Sequence, residues 1–335
     1  MVLSKPSRAV GLELDNGEAR AVELSGRSRP PTLTAFGRAS LPEGAVSEGM
    51  VNDPEAVGTA LGRLWAEGGF SCREVVLGVA NQGVLVRFAN FPKVPQNQLA
   101  KVIRYQAQDH LPISISSVVL DHAVIGEISG DGENLLEVLL VAARREMLAA
   151  FLSALETAKL RPHDIDVSVL ALLQVLPEED RGRRVTLVDV GSGLSKLLIV
   201  AGGVPRLARL IPVGVKEAAG LLGCQLTDLM ADGQTPWPQD ALLTWSETLA
   251  GEIRSSLEYY RETEGDNIEK VVLSGRGSRV EGLTSALAES LEIPVVVIEP
   301  LSRLAVSGRV RKNDFFRVAA EFAVVIALAR RGLEA

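Results

Sequence analysis

Two distant stretches of this chain carry one pattern, and that repetition constrains the fold more than any other feature. Residues 10–26 read VGLELDNGEARAVELSG, and residues 185–205 read VTLVDVGSGLSKLLIVAGGVP. Laid over one another without a gap, Glu13 falls on Asp189, Gly17 on Gly193, Arg20 on Lys196 and Gly26 on Gly202. Each copy is an apolar strand, an acidic residue, a Gly-containing turn, a cation, a second strand and a closing Gly. Solenoid repeats recur at about 20–50 residues, far closer than these two copies. The pattern therefore predicts a duplicated two-lobed α/β fold with one hairpin per lobe. Gly17, Gly191 and Gly193 carry no Cβ to block a ligand, and Ser192 and Ser195 add hydroxyls. Glu13 and Asp189 stand where carboxylates hold a metal through water. A tight surface hairpin with an acidic strand end explains either copy alone. Two matched copies suggest a pair that grips a polyphosphate from both sides.

Composition narrows the partners. At 335 residues the chain has room for two domains. Its net charge of −7 argues against nucleic acid, which calls for a basic surface. Cys72 and Cys224 are far apart with no pairing motif, which fits a reducing cytosol. His110, His122 and His163 show no metal-ligand spacing. No signal peptide is visible, and no run reaches the roughly 20 apolar residues of a membrane span. The longest candidate, 318–329, is interrupted by Glu321 and reads as part of one buried terminal helix over 315–331.

Along the chain, a helix is predicted over 55–67 and a buried strand over 74–80. An insertion follows at 84–142, with a strand, a helix over 96–110 and two strands around a Gly130-Asp131-Gly132 turn. The charged run 178–184 marks a boundary between lobes at 1–177 and 178–335. A TPWP break at 235–238 precedes a long helix over 242–261. A strand over 270–273 runs into Ser274-Gly275-Arg276-Gly277-Ser278, ahead of a helix over 280–289. Such a strand–Gly loop–helix unit lets backbone approach a nucleotide. The basic segment 303–317 reads as a solvated loop in preference to a contact for anionic lipid.

These stretches together resemble the actin-like superfamily and, within it, the PilM family of type IV pilus assembly and its relative FtsA. VGLELDNGEARAVEL, GMVNDPEAV, VDVGSG, EIRSSLEYY and KVVLSGRGSRVEGL carry the likeness. The most specific stretch is VRFANFPKVPQNQLAKVIRYQAQDHLPISISSVVLDHAVIGE, the subdomain that sugar kinases and Hsp70 lack at that place. The resemblance implies an ATP-binding, actin-fold scaffold that is at most a weak ATPase. Such a scaffold holds the cytoplasmic tail of a PilN-like inner-membrane protein and reaches PilO-type and assembly-motor components through it. It would be cytoplasmic, peripheral to the inner membrane only through partners, with a homo-oligomer left open. By motif, ATP phosphates would meet Asn16, Gly17, Arg20, Gly191, Ser192, Gly193 and Ser195, with Mg²⁺ oriented by Glu13 and Asp189. Gly275, Arg276, Gly277 and Ser278 would lie near the adenosine, and Glu252 and Ser255 near ribose or base. The tail would lie against the insertion. A sugar-type kinase and an FtsA-like membrane filament are the competing readings of the superfold.

The chain departs from the family pattern at the first turn. Asp15 puts a carboxylate where phosphate approaches bare backbone. Two unit charges about 4 Å apart at an effective dielectric near 20 repel by roughly 4 kcal/mol. That equals nearly three decades of affinity unless Mg²⁺ or Arg20 compensates. Arg276, at the centre of the expected adenosine loop, is placed to stack on adenine or to fill the cleft.

Overall fold

A computed structural model describes residues 7–130, 133–224 and 238–334. The expected Gly130–Gly132 turn falls at its tip, and the TPWP break up to residue 237, on residues outside that set.

The strands of the first lobe are β1 (Arg8–Asp15), β2 (Glu18–Ser25) and β3 (Thr32–Ser40). A short ribbon of β4 (Val46–Ser47) with β5 (Met50–Val51) follows, then β6 (Glu74–Val79). The insertion holds β7 (Val84–Pro92), β8 (Val118–Gly130) and β9 (Glu133–Arg144), and β10 (Arg161–Val167) returns to the first lobe. The second lobe contributes β11 (Arg184–Val190), β12 (Ser195–Ala201), β13 (Val204–Ile211), β14 (Lys270–Ser274) and β15 (Val295–Val297). A last strand, β16 (Ala305–Val306), comes near the end.

The duplication is explicit in the sheets. One runs β10-β6-β1-β2-β3-β16 and the other β13-β12-β11-β14-β15. In both, an antiparallel three-stranded meander is extended by parallel strands, β6 beside β1 and β14 beside β11. Glu13 pairs across the ladder with Arg20, and Asp189 with Lys196, so the gap-free overlay holds residue for residue. The strands are apolar enough to be buried on both faces, as such central strands must be.

The insertion makes its own sheet, β7-β9-β8, with the helix Gln96–His110 over it. Leu99, Ile103 and Ala107 form that helix's buried stripe and share a small core with Phe91, Val138 and Leu140.

Four expectations are corrected. The boundary that gave 178–335 to the second lobe fails at its end. β16 pairs in parallel with β3, so part of the basic segment 303–317 is a strand rather than a solvated loop. The last helix, Ala323–Glu334, lies against β1, β2 and β6 of the first sheet. It approaches so closely that a Cβ on Gly11 would fall 2.0 Å from the Val325 carbonyl oxygen. The single terminal helix over 315–331 is instead Lys312–Val318, a 3₁₀ turn Ala319–Phe322, and Ala323–Glu334. In that turn Glu321 faces Arg38 and Arg279. The helix over 280–289 begins later, at Leu283, because Arg276–Arg279 forms a 3₁₀ turn first.

Candidate functional site

The tips of the two hairpins meet between the lobes. In the first, β1 and β2 are joined by Asn16-Gly17, with Gly17 at φ +77. That left-handed residue is what the turn demands of glycine. In the second, the Gly191 N–H donates to the Leu194 carbonyl at 3.1 Å, which leaves Ser192-Gly193 as the equivalent turn. Backbone bonds from Val215 N to Gly191 O and from Lys216 N to Ser192 O pin this turn to the helix Val215–Leu222.

Asp15 reaches across the gap. Its Oδ2 accepts the Ser192 N–H at 2.8 Å, and its Oδ1 lies 3.4 Å from the Gly193 N–H. The two backbone donors expected to cradle a phosphate therefore hold a carboxylate of the opposite lobe. The glycines give their space to the protein as well. A Cβ on Gly191 would lie 2.9 Å from Asp15 Oδ2, and one on Gly193 would lie 2.2 Å from Asn16 Nδ2.

Around this contact runs a buried ion network. Lys196 Nζ sits 2.8 Å from Asp189 and 3.1 Å from Glu13, standing where a metal ion was expected. Ser274 Oγ donates to the other Asp189 oxygen at 2.8 Å. Arg20 contacts Glu13, Asp15 and Glu18 and donates to the Glu321 carbonyl at 2.6 Å. Arg276 pairs with Glu18 and lies 3.9 Å from Glu321. Arg38 and Arg279 close on Glu321 at 3.1 and 2.7 Å. Five carboxylates, those of Glu13, Asp15, Glu18, Asp189 and Glu321, thus meet five cations, Arg20, Arg38, Lys196, Arg276 and Arg279.

Three of these charges, on Arg20, Lys196 and Asp189, are held in their ionised forms. Burial opposes the charge on Arg20, but Glu18, Glu13 and Asp15 raise its pKa well above the ordinary value. Lys196 is raised in the same way by Asp189 and Glu13 against its burial. Burial pushes Asp189 up, and Lys196, Arg20 and the Ser274 hydroxyl together bring it below the usual aspartate range. Arg276 is the exception: its burial outweighs Glu18 and Glu321 and lowers its pKa.

The remaining expected site residues are partly gathered here. Gly275 and Gly277 pack on the end of β11, where a Cβ on Gly277 would lie 2.3 Å from Val190 Cγ1. The Ser278 hydroxyl donates to the Gly275 carbonyl. Ser195 donates to the Val213 carbonyl and faces no gap. Glu252 and Ser255 are not brought to the tips. Glu252 pairs with Arg209 of β13 at 2.6 Å, and the Ser255 hydroxyl bonds back to the Gly251 carbonyl on an exposed face. Sequence reasoning missed Glu321, Arg38 and Arg279, whose one signal was an acid interrupting an apolar helix.

A second feature lies beside the insertion. A groove of about 330 Å³ runs between β7, β10 and β13, with Val84, Val86, Val167, Val169, Ala208 and Leu210 in its lining. Each of these strands is at a sheet edge in the described residues. Edge strands present unpaired backbone N–H and C=O groups. Arg87 and Arg209 line the groove, the latter held by Glu252. Arg206 joins β13 to β9 through both Glu137 oxygens at 2.8 Å.

Comparison with known proteins settles the family. The model for type IV pilus assembly protein PilM matches residues 11–208 and 234–333. The chain belongs to the PilM family. It is similar, at 30% identity and a TM-score of 0.86, to a chain of the solved PilM-PilN type IV pilus biogenesis complex, covering 98% of this chain and 99% of that one. More distant likenesses show the actin-like fold alone. They include ethanolamine utilization protein EutJ from Carboxydothermus hydrogenoformans, at 13% identity, TM-score 0.54, with 97% of this chain and 89% of that one covered. MreB 5 of Spiroplasma citri bound to AMPPNP follows at 10% identity and TM-score 0.51, with 96% and 95% covered.

The PilM resemblance implied ATP and Mg²⁺, and the residues between these lobes do not fit that pair. The cradle donors are engaged by Asp15, and Lys196 stands between the two carboxylates expected to orient the metal. Among the described residues, one cavity at the tips, lined by Asn16, Gly193, Lys216 and Glu217 among others, is about 250 Å³. Ligand pockets begin near about 300 Å³.

Proposed function

We propose that this PilM-family protein is a scaffold of type IV pilus assembly that holds the cytoplasmic tail of a PilN-like inner-membrane protein in the groove between β7, β10 and β13. The observation that carries this reading is the near-complete correspondence with a chain of the PilM-PilN complex. The groove supports it physically. An extended tail can add its backbone to a free strand edge while alternate side chains enter the apolar floor. Arg87 and Arg209 suit an acidic or carbonyl-rich tail. Among the described residues no helix is long and apolar enough to cross a membrane. On this reading the protein sits at the inner membrane through its partner and reaches PilO-type and motor components through it. A sugar-type kinase reading has little support, since Asp189 is paired with Lys196, and Glu13 with Lys196 and Arg20, which leaves neither as a free base.

The test is a fluorescence-anisotropy titration of the full chain with a labelled synthetic peptide copying the cytoplasmic tail of the PilN-like protein of the same organism. Saturable binding is expected, weakened at least tenfold by Val86→Asp or Ala208→Glu, with circular dichroism confirming an intact fold. Absence of binding, or binding indifferent to both substitutions, overturns the assignment.

A further inference from the structure

We propose that the Asp15 carboxylate is a built-in substitute for a nucleotide phosphate, so that this chain keeps its lobes closed with no nucleotide between them. Four observations converge. The Asp15 oxygens take the Ser192 and Gly193 N–H groups, which are the donors the second hairpin offers to an anion. Successive backbone N–H groups at such a turn form an anion-binding concavity, and a carboxylate satisfies it as a phosphate oxygen does.

The overlay of the hairpins makes the substitution specific. Asp15 stands where the second copy has Gly191, so the side chain is an addition to a turn that the other lobe leaves bare. The added charge is matched. Arg20 approaches Asp15 Oδ2 at 3.4 Å, and the surrounding five acids and five cations balance without an ion from solution. A triphosphate introduced here would add negative charge to a closed set and displace Asp15 from its donors. Finally, the space is taken: Asn16 lies against Gly193, and Val190 against Gly277.

The link is intramolecular, from β1 of one lobe to the turn after β11 of the other. Its effective concentration is fixed by the fold rather than by a ligand in solution. The equilibrium between open and closed lobes is therefore set by residues 15, 192 and 193 instead of by nucleotide level. Tail binding in the groove plays no part in this argument, and either proposal can fail alone.

The experiment is thermal unfolding of the full chain, wild type beside Asp15→Gly and Asp15→Asn, with and without ATP–Mg²⁺, pyrophosphate or inorganic phosphate at 5 mM (about). The wild type is expected to show no shift with any of them. Asp15→Gly is expected to lose about 5 °C or more and to recover at least half of it with one of the anions. Asp15→Asn, which keeps the size and loses the charge, is expected to fall between. Should Asp15→Gly fail to fold, the same readout on Asp15→Asn decides. A saturable upward shift of the wild type with ATP–Mg²⁺ overturns the proposal. So does an unchanged melting temperature in Asp15→Asn, or a loss in both variants that no anion restores, which would make Asp15 an ordinary buried carboxylate.

Discussion

The two hairpins of this PilM-family chain agree in their strands and differ in their tips. Both align an acid with a cation across the ladder, Glu13 with Arg20 and Asp189 with Lys196. Both close with a two-residue turn ending in glycine. Yet the first tip presents a carboxylate, Asp15, and the second presents backbone donors, Ser192 and Gly193. The first is held open by a left-handed Gly17, whereas Gly193 is not among the positive-φ residues and is hemmed in by Asn16. The lesson is that duplication preserved what the sheet needs and released what faces the gap. Two originally equivalent tips became complementary to each other.

The comparison breaks most visibly at its cations. Lys196 bridges acids of both lobes, so Lys196→Met leaves Asp189 and Glu13 short of a buried partner. Removing one member of a buried ion pair costs about 3–5 kcal/mol. Urea denaturation should show a loss of that order. Lys270→Met, whose partner Asp180 lies at the far end of the sheet, is the control for a buried pair that joins no lobes. Equal loss of stability in both variants would remove the distinction between the gap and the rest of the core.

A sharper test separates the two glycines. Gly193→Ala drives a Cβ into Asn16, and overpacking of this kind costs about 1–3 kcal/mol. Asn16→Ala should relieve it. Gly17→Ala is strained by its φ of +77, at about 1–2 kcal/mol, and no change at residue 16 should help. A double-mutant cycle therefore predicts coupling of at least about 0.5 kcal/mol for the first pair and none for the second.

The smallest effect concerns two buried aspartates of opposite sign. Asp189 is depressed, so its contribution is present above the ordinary aspartate value and lost as pH falls below it. Burial raises Asp166 from 3.8 to about 6, against the pull of Arg331 at 2.9 Å. The folded state then holds that proton more tightly, so stability falls as pH rises from about 4 to about 6. Asp166→Asn should flatten this part of the stability profile, measured by urea midpoints across that range.

Much of this was legible in the chain. The hairpins, their register and the insertion follow from local patterns, because alternation, glycine placement and turn residues act over a few positions. The filling of the gap was half visible. Asp15 stood out as a misplaced charge, but the N–H groups it serves are in the other half of the chain, and no local rule joins them. Glu321 read as an interruption in an apolar helix for the same reason: its partners Arg20, Arg38, Arg276 and Arg279 come from three separate segments, β2, β3 and the Arg276–Arg279 turn. Glu252 was assigned from its place on the long helix, yet helical spacing says which residues share a face and not which strand that face meets.

The return of the last helix to the first sheet has a consequence for synthesis. The second lobe's core is drawn from residues 188–295, a continuous run that can pack as soon as it has emerged. The first lobe begins earlier but includes Phe322, Val325, Leu328 and Leu333 in its interior, so it stays unsealed until those residues have emerged. During that interval β1 and β2 have no cover on one face, and a nascent chain of this protein is most vulnerable at these two strands.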